Sequence, residues 1–200
     1  LQVEVGAKGD LLQGRLQSTV ALFRGRKSNI LRPDPALGPA GANANAVLSV
    51  GEAVNRGLEL DVAGQITPRW NVAFNYAYID SEITKDVLAS VVGKPLPNVA
   101  PHLVGLFTRL DVTRTTSLAV SLQHVGDREE PYAGIRAKAF TIADAHVYQT
   151  LTDWLRVQVR LENVFDRRYA TSSLFAARAG NFPGQPRTLS VQVVTSWARR

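Results

Sequence analysis

His102, His124 and His146 come first, because imidazole serves both metal binding and proton transfer. None stands three or four residues from another, and no acidic residue accompanies them at a metal-motif spacing, so no metal site is expected. Cysteine is absent, which excludes disulfides, Cys-zinc sites, Fe–S clusters and thiol nucleophiles. Serine and aspartate are plentiful, yet no Gly-x-Ser-x-Gly elbow is present. The surroundings of Gly51 and Gly57 lack the Lys-Ser/Thr pair and the following helix of a phosphate loop. Glu129-Glu130 follows Arg128 in a loop and reads as solvated surface rather than an acid/base pair. An enzyme is not expected, and neither is a cofactor.

Arginine dominates the remaining charge. The 200 residues carry 23 Lys and Arg against 17 Asp and Glu, a formal charge of +6, with a pI near 10.0. Such a balance ordinarily points to nucleic acid or an anionic surface. Nucleic acid would need basic groups and stacking aromatics on one face. Here Arg156, Arg160 and Glu162 alternate with Leu155, Val157, Val159 and Leu161, so the charges and the apolar side chains part to opposite faces. Arg109, Glu59 and Asp61 fall on the charged side of their own segments in the same way. Nucleic-acid binding is therefore not expected. These six residues are expected to line a hydrated wall, with arginines paired to Glu59, Asp61, Asp111 and Glu162 on neighbouring strands. A positive field drawing in anionic ligands is the functional alternative.

The elements that must position these groups are strands. Alternation of period two recurs at 58–62, 70–78, 104–112, 118–123, 155–162 and 189–197, and more weakly at 1–10, 15–27 and 139–150. About nine strands and no helix are expected. Short connections at 11–14, 67–69, 113–116 and 151–153 take turns with long ones at about 29–46, 81–100, 127–138 and 169–186. No apolar run reaches the length of a membrane helix, and mean hydropathy is −0.06. Long strands with short turns at one end and long loops at the other are the pattern of an antiparallel membrane barrel. Trp70, Trp154 and Trp197 are expected in one belt at the short-turn end, with Tyr76, Tyr78, Phe165 and Tyr169 toward the other rim. A soluble β-sandwich is the other architecture such strands could build. A chain that starts at Leu1 with no methionine anywhere is expected to be a processed product or a fragment.

Four segments carry a family resemblance. Asn163-Val164-Phe165-Asp166-Arg167-Arg168-Tyr169 resembles the Asn-Leu-Phe-Asp-Lys-x-Tyr segment of TonB-dependent outer-membrane receptors. Phe182-Pro183-Gly184-Gln185-Pro186-Arg187-Thr188-Leu189 is similar to the stretch that opens their last strand. Arg56-Gly57-Leu58-Glu59-Leu60-Asp61 and Leu96-Pro97-Asn98-Val99-Ala100-Pro101-His102 resemble two earlier strand entries, in the family's order. The ferric-siderophore receptor group is the nearest in flavour. The chain departs from the family at its end, where Ala198-Arg199-Arg200 follows Trp197 instead of a closing aromatic.

The resemblance implies a barrel of about 22 strands closed around an N-terminal plug, of which residues 1–200 supply the C-terminal portion. No counterpart of the plug or the TonB box is found. It further implies an outer-membrane location, contact with outer-membrane lipid, and energy from TonB–ExbB–ExbD through the missing N-terminal region. The ligand is expected to be a ferric siderophore or similar metal chelate, so iron arrives already bound. The loop candidates for touching it are Arg32, Asn43, Asn45, Tyr132, Arg136, Phe175 and Arg178. A passive outer-membrane channel is the rival function.

Overall fold

The computed structural model describes residues 1–34, 46–174 and 180–197. Nine long or medium strands form one antiparallel sheet. They are β1 (Gln2–Leu11), β2 (Leu16–Pro33), β3 (Val47–Thr67), β4 (Trp70–Lys85), β5 (His102–Asp111), β6 (Thr116–Val125), β9 (Phe140–Thr152), β10 (Leu155–Glu162) and β13 (Thr188–Thr195). They pair in the order β1-β2-β3-β4-β5-β6-β9-β10-β13. The four strands missing from that order make two small hairpins in the long connections: β7 (Arg128–Glu130) with β8 (Ile135–Ala137), and β11 (Ala170–Leu174) with β12 (Gly180–Pro183). A single 3-10 turn, Ala89–Val91, is the only helical element among the described residues. No helix is long and apolar enough to cross a membrane.

Direct cross-strand partners share a face of the sheet, so the register shows what each face carries. One row runs Val62–Phe74–Leu106–Leu122–Ala143, and another Leu118–Val147–Val159–Val191. Leu118, Val147 and Val191 are exposed, as are Val20, Leu22, Val120 and Leu189 on the same face, and the other members of the two rows are half-buried. A contiguous apolar surface of this extent needs an apolar environment. The opposite face carries the row Asp61–Asn75–Gly105–Gln123 and the row Asn71–Arg109–Ala119–His146–Arg160. The neutral hydropathy of the sequence is the average of these two faces.

Among the described residues, β1 and β13 are each paired on one side only. The sheet is thus an incomplete barrel, because open strand edges leave backbone groups unsatisfied that hydrocarbon cannot solvate. The tryptophans sit together at the short-turn end. The rings of Trp154 and Trp197 stack 6.2 Å apart, and Trp70 Nε1 donates to Thr108 Oγ1 at 2.7 Å. At the other rim Tyr76, Tyr78 and His102 cluster on the apolar face, with Tyr76 Oη and His102 Nδ1 3.0 Å apart.

Several expectations need correction. The loops expected from 29 and 81 begin later, because β2 runs on to Pro33 and β4 to Lys85. Tyr169 lies toward the long-loop end, as expected, but not with Tyr76 and Tyr78 on the apolar face. It packs on Phe140, with ring centres 4.3 Å apart, in a cluster with Ala100, Val125, Leu103 and Ile142. Gly184 permits this placement, since a Cβ there would collide with the Tyr169 ring. Arg128 and Glu130 are not solvated loop residues but are buried in β7.

Candidate functional site

The long-loop end holds the most elaborate polar arrangement. Because β2, β3 and β4 are 18, 21 and 16 residues long, they project beyond the apolar band. Near the tip of that projection Arg32 Nε lies 2.8 Å from Asp86 Oδ2. The Tyr132 hydroxyl donates to the same oxygen at 2.8 Å, and the Arg32 guanidinium lies 4.1 Å above the Tyr132 ring. Asp86 Oδ1 accepts the Leu88 N–H at 3.0 Å. Both carboxylate oxygens are therefore engaged, and the side chain is only 2% exposed. A planar cation between a carboxylate and an aromatic face is an arrangement that arginine suits and lysine does not.

A second node lies beside it. Glu52 accepts from Arg26 at 2.6 Å and from Thr84 Oγ1 at 3.0 Å, and Lys85 Nζ is 3.5 Å away. The Arg26 hydrogen bond holds the Glu52 carboxyl below its usual range. Its contribution to stability is therefore present at neutral pH and is lost as pH falls through that lowered value. The two nodes border one cleft of 600 Å³ whose lining includes four basic residues, Arg26, Lys27, Arg32 and Lys85, and two acidic ones, Glu52 and Asp86. Its net positive lining favours anions.

The structure brings Arg32 and Tyr132 together and leaves Arg136 apart. Arg136 is largely exposed, 3.3 Å from Glu129, and borders a separate 340 Å³ cleft with Asp80, Asp127 and Glu129. Asn43, Asn45, Phe175 and Arg178 lie outside the described residues. Asp86 and Glu52, which organise the cleft, carried no sequence signal. Neither belongs to a motif, and each owes its role to residues brought from other strands.

Burial pushes the Tyr132 phenol up to about 12, with the Asp86 hydrogen bond adding to the effect. A raised pKa favours the neutral phenol in the folded protein. Its contribution is complete below the ordinary value of 10.0 and is lost as pH rises toward about 12. Tyrosinate absorbance of the receptor should therefore include one late-titrating phenol that is missing in Tyr132→Phe. If all tyrosines ionise near 10.0 in both proteins, the Asp86–Tyr132 bond is not as described.

The external hairpins are tied down from the sheet side. Arg128 lies beneath them, donating to Ala170 O at 2.6 Å and also to Thr171 O, with its guanidinium 5.3 Å from the Phe140 ring. Burial lowers its pKa, but the group stays charged. Asn98 and Ser173 bond reciprocally, Nδ2 to the carbonyl at 2.8 Å and the Ser173 N–H to Oδ1 at 2.6 Å. Asn163, at the end of β10, adopts a left-handed φ of 49°. Its Nδ2 donates to Arg167 O at 2.9 Å and Gln185 O at 3.0 Å, while Oδ1 accepts the Arg167 N–H at 2.8 Å.

Along the wall, Glu59, Asp61, Arg109, Arg156, Arg160 and Glu162 all occupy the polar face. The ion pairs differ from those expected. Arg109 pairs with Asp111 at 3.2 Å and Arg160 with Glu162 at 3.5 Å, each within its own strand. Residues two apart on a strand point the same way, and here the acid on the same strand is the nearer partner. Near the short-turn end a 570 Å³ cleft is lined by Arg69, Arg109, Arg114 and Arg156 with Asp111. Among the described residues no group of three His, Asp or Glu side chains could hold a metal.

Residues 1–164 match the family described as TonB dependent receptor-like, beta-barrel. The chain is 32% identical over 200 residues to the metal-pseudopaline receptor CntO of Pseudomonas aeruginosa, covering 97% of this chain and 27% of that receptor. It is 29% identical to the catecholate siderophore receptor Fiu of Escherichia coli, covering 92% of this chain and 24% of Fiu. The crystal structure of the siderophore receptor PiuA from Acinetobacter baumannii superimposes with a TM-score of 0.81 at 25% identity, over 96% of this chain and 28% of PiuA. The chain thus spans about a quarter of the length of these relatives. The exposed apolar wall, the polar opposite face, the asymmetric turns and this match over most of its length agree: the chain belongs to the TonB-dependent receptor family of outer-membrane β-barrel proteins.

Proposed function

We infer that these strands form wall and capture surface of a receptor that takes up a ferric siderophore or similar metal chelate across the outer membrane. The observation that carries this reading is the net-positive cleft in which Asp86 fixes Arg32 and Tyr132. An anionic chelate with aromatic or carboxylate arms finds there a cation, a ring edge and donors already in place. The names of the relatives support the substrate class, since CntO takes a metal-pseudopaline complex and Fiu a catecholate siderophore. Further strands would close the open edges of the sheet around a plug. Energy would come from TonB–ExbB–ExbD through the part of the receptor before these strands. Iron enters as part of the ligand and takes no ligand from the protein. The chain makes and breaks no covalent bond; its work is binding.

The test uses the full-length receptor in cells lacking other siderophore receptors, supplied with a panel of ferric hydroxamates, catecholates and carboxylates. At least one chelate should be taken up, and only when TonB is present. Arg32→Ala should weaken its binding roughly tenfold, the loss of about 1.4 kcal/mol. TonB-independent uptake, or no binding of any metal chelate, would sink the reading.

A further inference from the structure

The outer wall carries a like-charge pair that the barrel itself leaves unresolved. Arg24 on β2 and Arg56 on β3 are direct cross-strand partners. Both point to the apolar face, since Leu22 and Leu58, two residues nearer the short turns, are partners in the row that continues through Tyr78 to His102. Like charges directly opposed on neighbouring strands repel. Arg56 is relieved on its far side by Asp80, 2.7 Å away. On its own far side Arg24 faces Val3, and among the described residues no carboxylate pairs with it. The other charges of this patch are Arg26, already held by Glu52, and Glu82, opposite Val54 one row further out.

Position identifies what could sit between the two arginines. A strand rises about 3.3 Å per residue, so Arg24 lies roughly 26 Å along β2 from Leu16 at the short-turn end. That is about one tilted crossing of the hydrocarbon layer. The Tyr76–Tyr78–His102 cluster, which marks the outer interface, is one row below. Arg24 and Arg56 are both exposed there, in the layer where headgroups lie. We propose that Arg24 and Arg56 together clamp a phosphate on the headgroup of an outer-leaflet glycolipid. Two guanidinium forks offer paired donors to a phosphate, and the anion turns their repulsion into attraction. Neither Arg24 nor Arg56 lines the outer cleft, so the site stands whether or not that cleft binds a chelate.

The full-length receptor, purified and placed in vesicles containing either diphosphorylated or dephosphorylated glycolipid, tests this by native mass spectrometry of retained lipid. The wild type should retain the phosphorylated form and release the dephosphorylated one. Arg24→Ala and Arg56→Ala should each lower retention about fivefold, the scale of one basic residue at an anionic surface. Asp80→Asn, which frees the other edge of Arg56, should raise it. Equal retention of the two lipids, or an unchanged Arg24→Ala/Arg56→Ala protein, would overturn the proposal. Full displacement by millimolar inorganic phosphate would overturn the assignment to lipid.

Discussion

Replacing Asn163 by alanine is expected to cost roughly 3–5 kcal/mol of barrel stability, the largest single-residue effect in the described structure. The residue is only 2% exposed at a point where the chain leaves the wall. Its amide satisfies two carbonyls and one N–H, those of Arg167 and Gln185. Alanine leaves all three groups without that partner, at about 1 kcal/mol or more each. It also places a Cβ-bearing residue without a helpful side chain at φ 49°, which costs about another 1–2 kcal/mol. Two further variants separate these causes. Asn163→Gly relieves the backbone and should recover only about 1 kcal/mol. Asn163→Asp keeps the acceptor for the Arg167 N–H but sets a carboxylate against two carbonyls, so it should not rescue. Thermal unfolding of the full-length receptor in detergent reads the series. Stability of Asn163→Ala within about 0.5 kcal/mol of wild type would refute the assignment.

Asp86→Ala comes second, and its effect is on the cleft rather than on the barrel. The carboxylate binds Arg32, Tyr132 and the Leu88 N–H at once. Breaking a buried ion pair from one side costs about 3–5 kcal/mol. Arg32 keeps partial access to water, which discounts the loss to about 2–3 kcal/mol here. The loss should appear as faster amide exchange at 86–101 and 131–134, with the wall strands protected as before. Chelate affinity should fall with it, since Arg32 and Tyr132 lose their fixed positions. The double variant Arg32→Ala/Asp86→Ala should cost less than the sum of the two single variants, because the second change removes the stranded charge left by the first. Strict additivity would mean that the two residues do not depend on each other.

The parts of this structure that could be read from sequence are those with a repeating period. Leu155 to Glu162 alternates over its whole length, and the register shows each of those residues on its expected face. The hairpins β7–β8 and β11–β12 escaped notice because three to five residues are too few for a period to appear. Arg128-Glu129-Glu130 has the composition of a solvated turn. It is buried only because Ala170, Thr171 and Phe140, distant in sequence, close over Arg128. Of the cleft, Arg32 and Tyr132 were picked for residue type alone. Asp86, which joins them, could not be picked, since a lone aspartate at a strand end carries no pattern until the end of β2 and two connections meet.

That meeting has a kinetic meaning. Neighbours in the chain are neighbours in the sheet, apart from the two inserted hairpins, so pairing can start at each tight turn and run outward like a zip. The turn at 12–14 is preset for this, with positive φ at Leu12, Gln13 and Gly14. Loop closure costs little for these turns and somewhat more for the long connections, about 0.6 kcal/mol per doubling of length. Arg32 near the end of β2, and Asp86 and Tyr132 in two separate connections, lie at the far ends of those zips. The cleft therefore assembles last, and only when three adjacent hairpins have locked in the right register. A barrel that has slipped by one residue on any of them displays no such cleft to the outside.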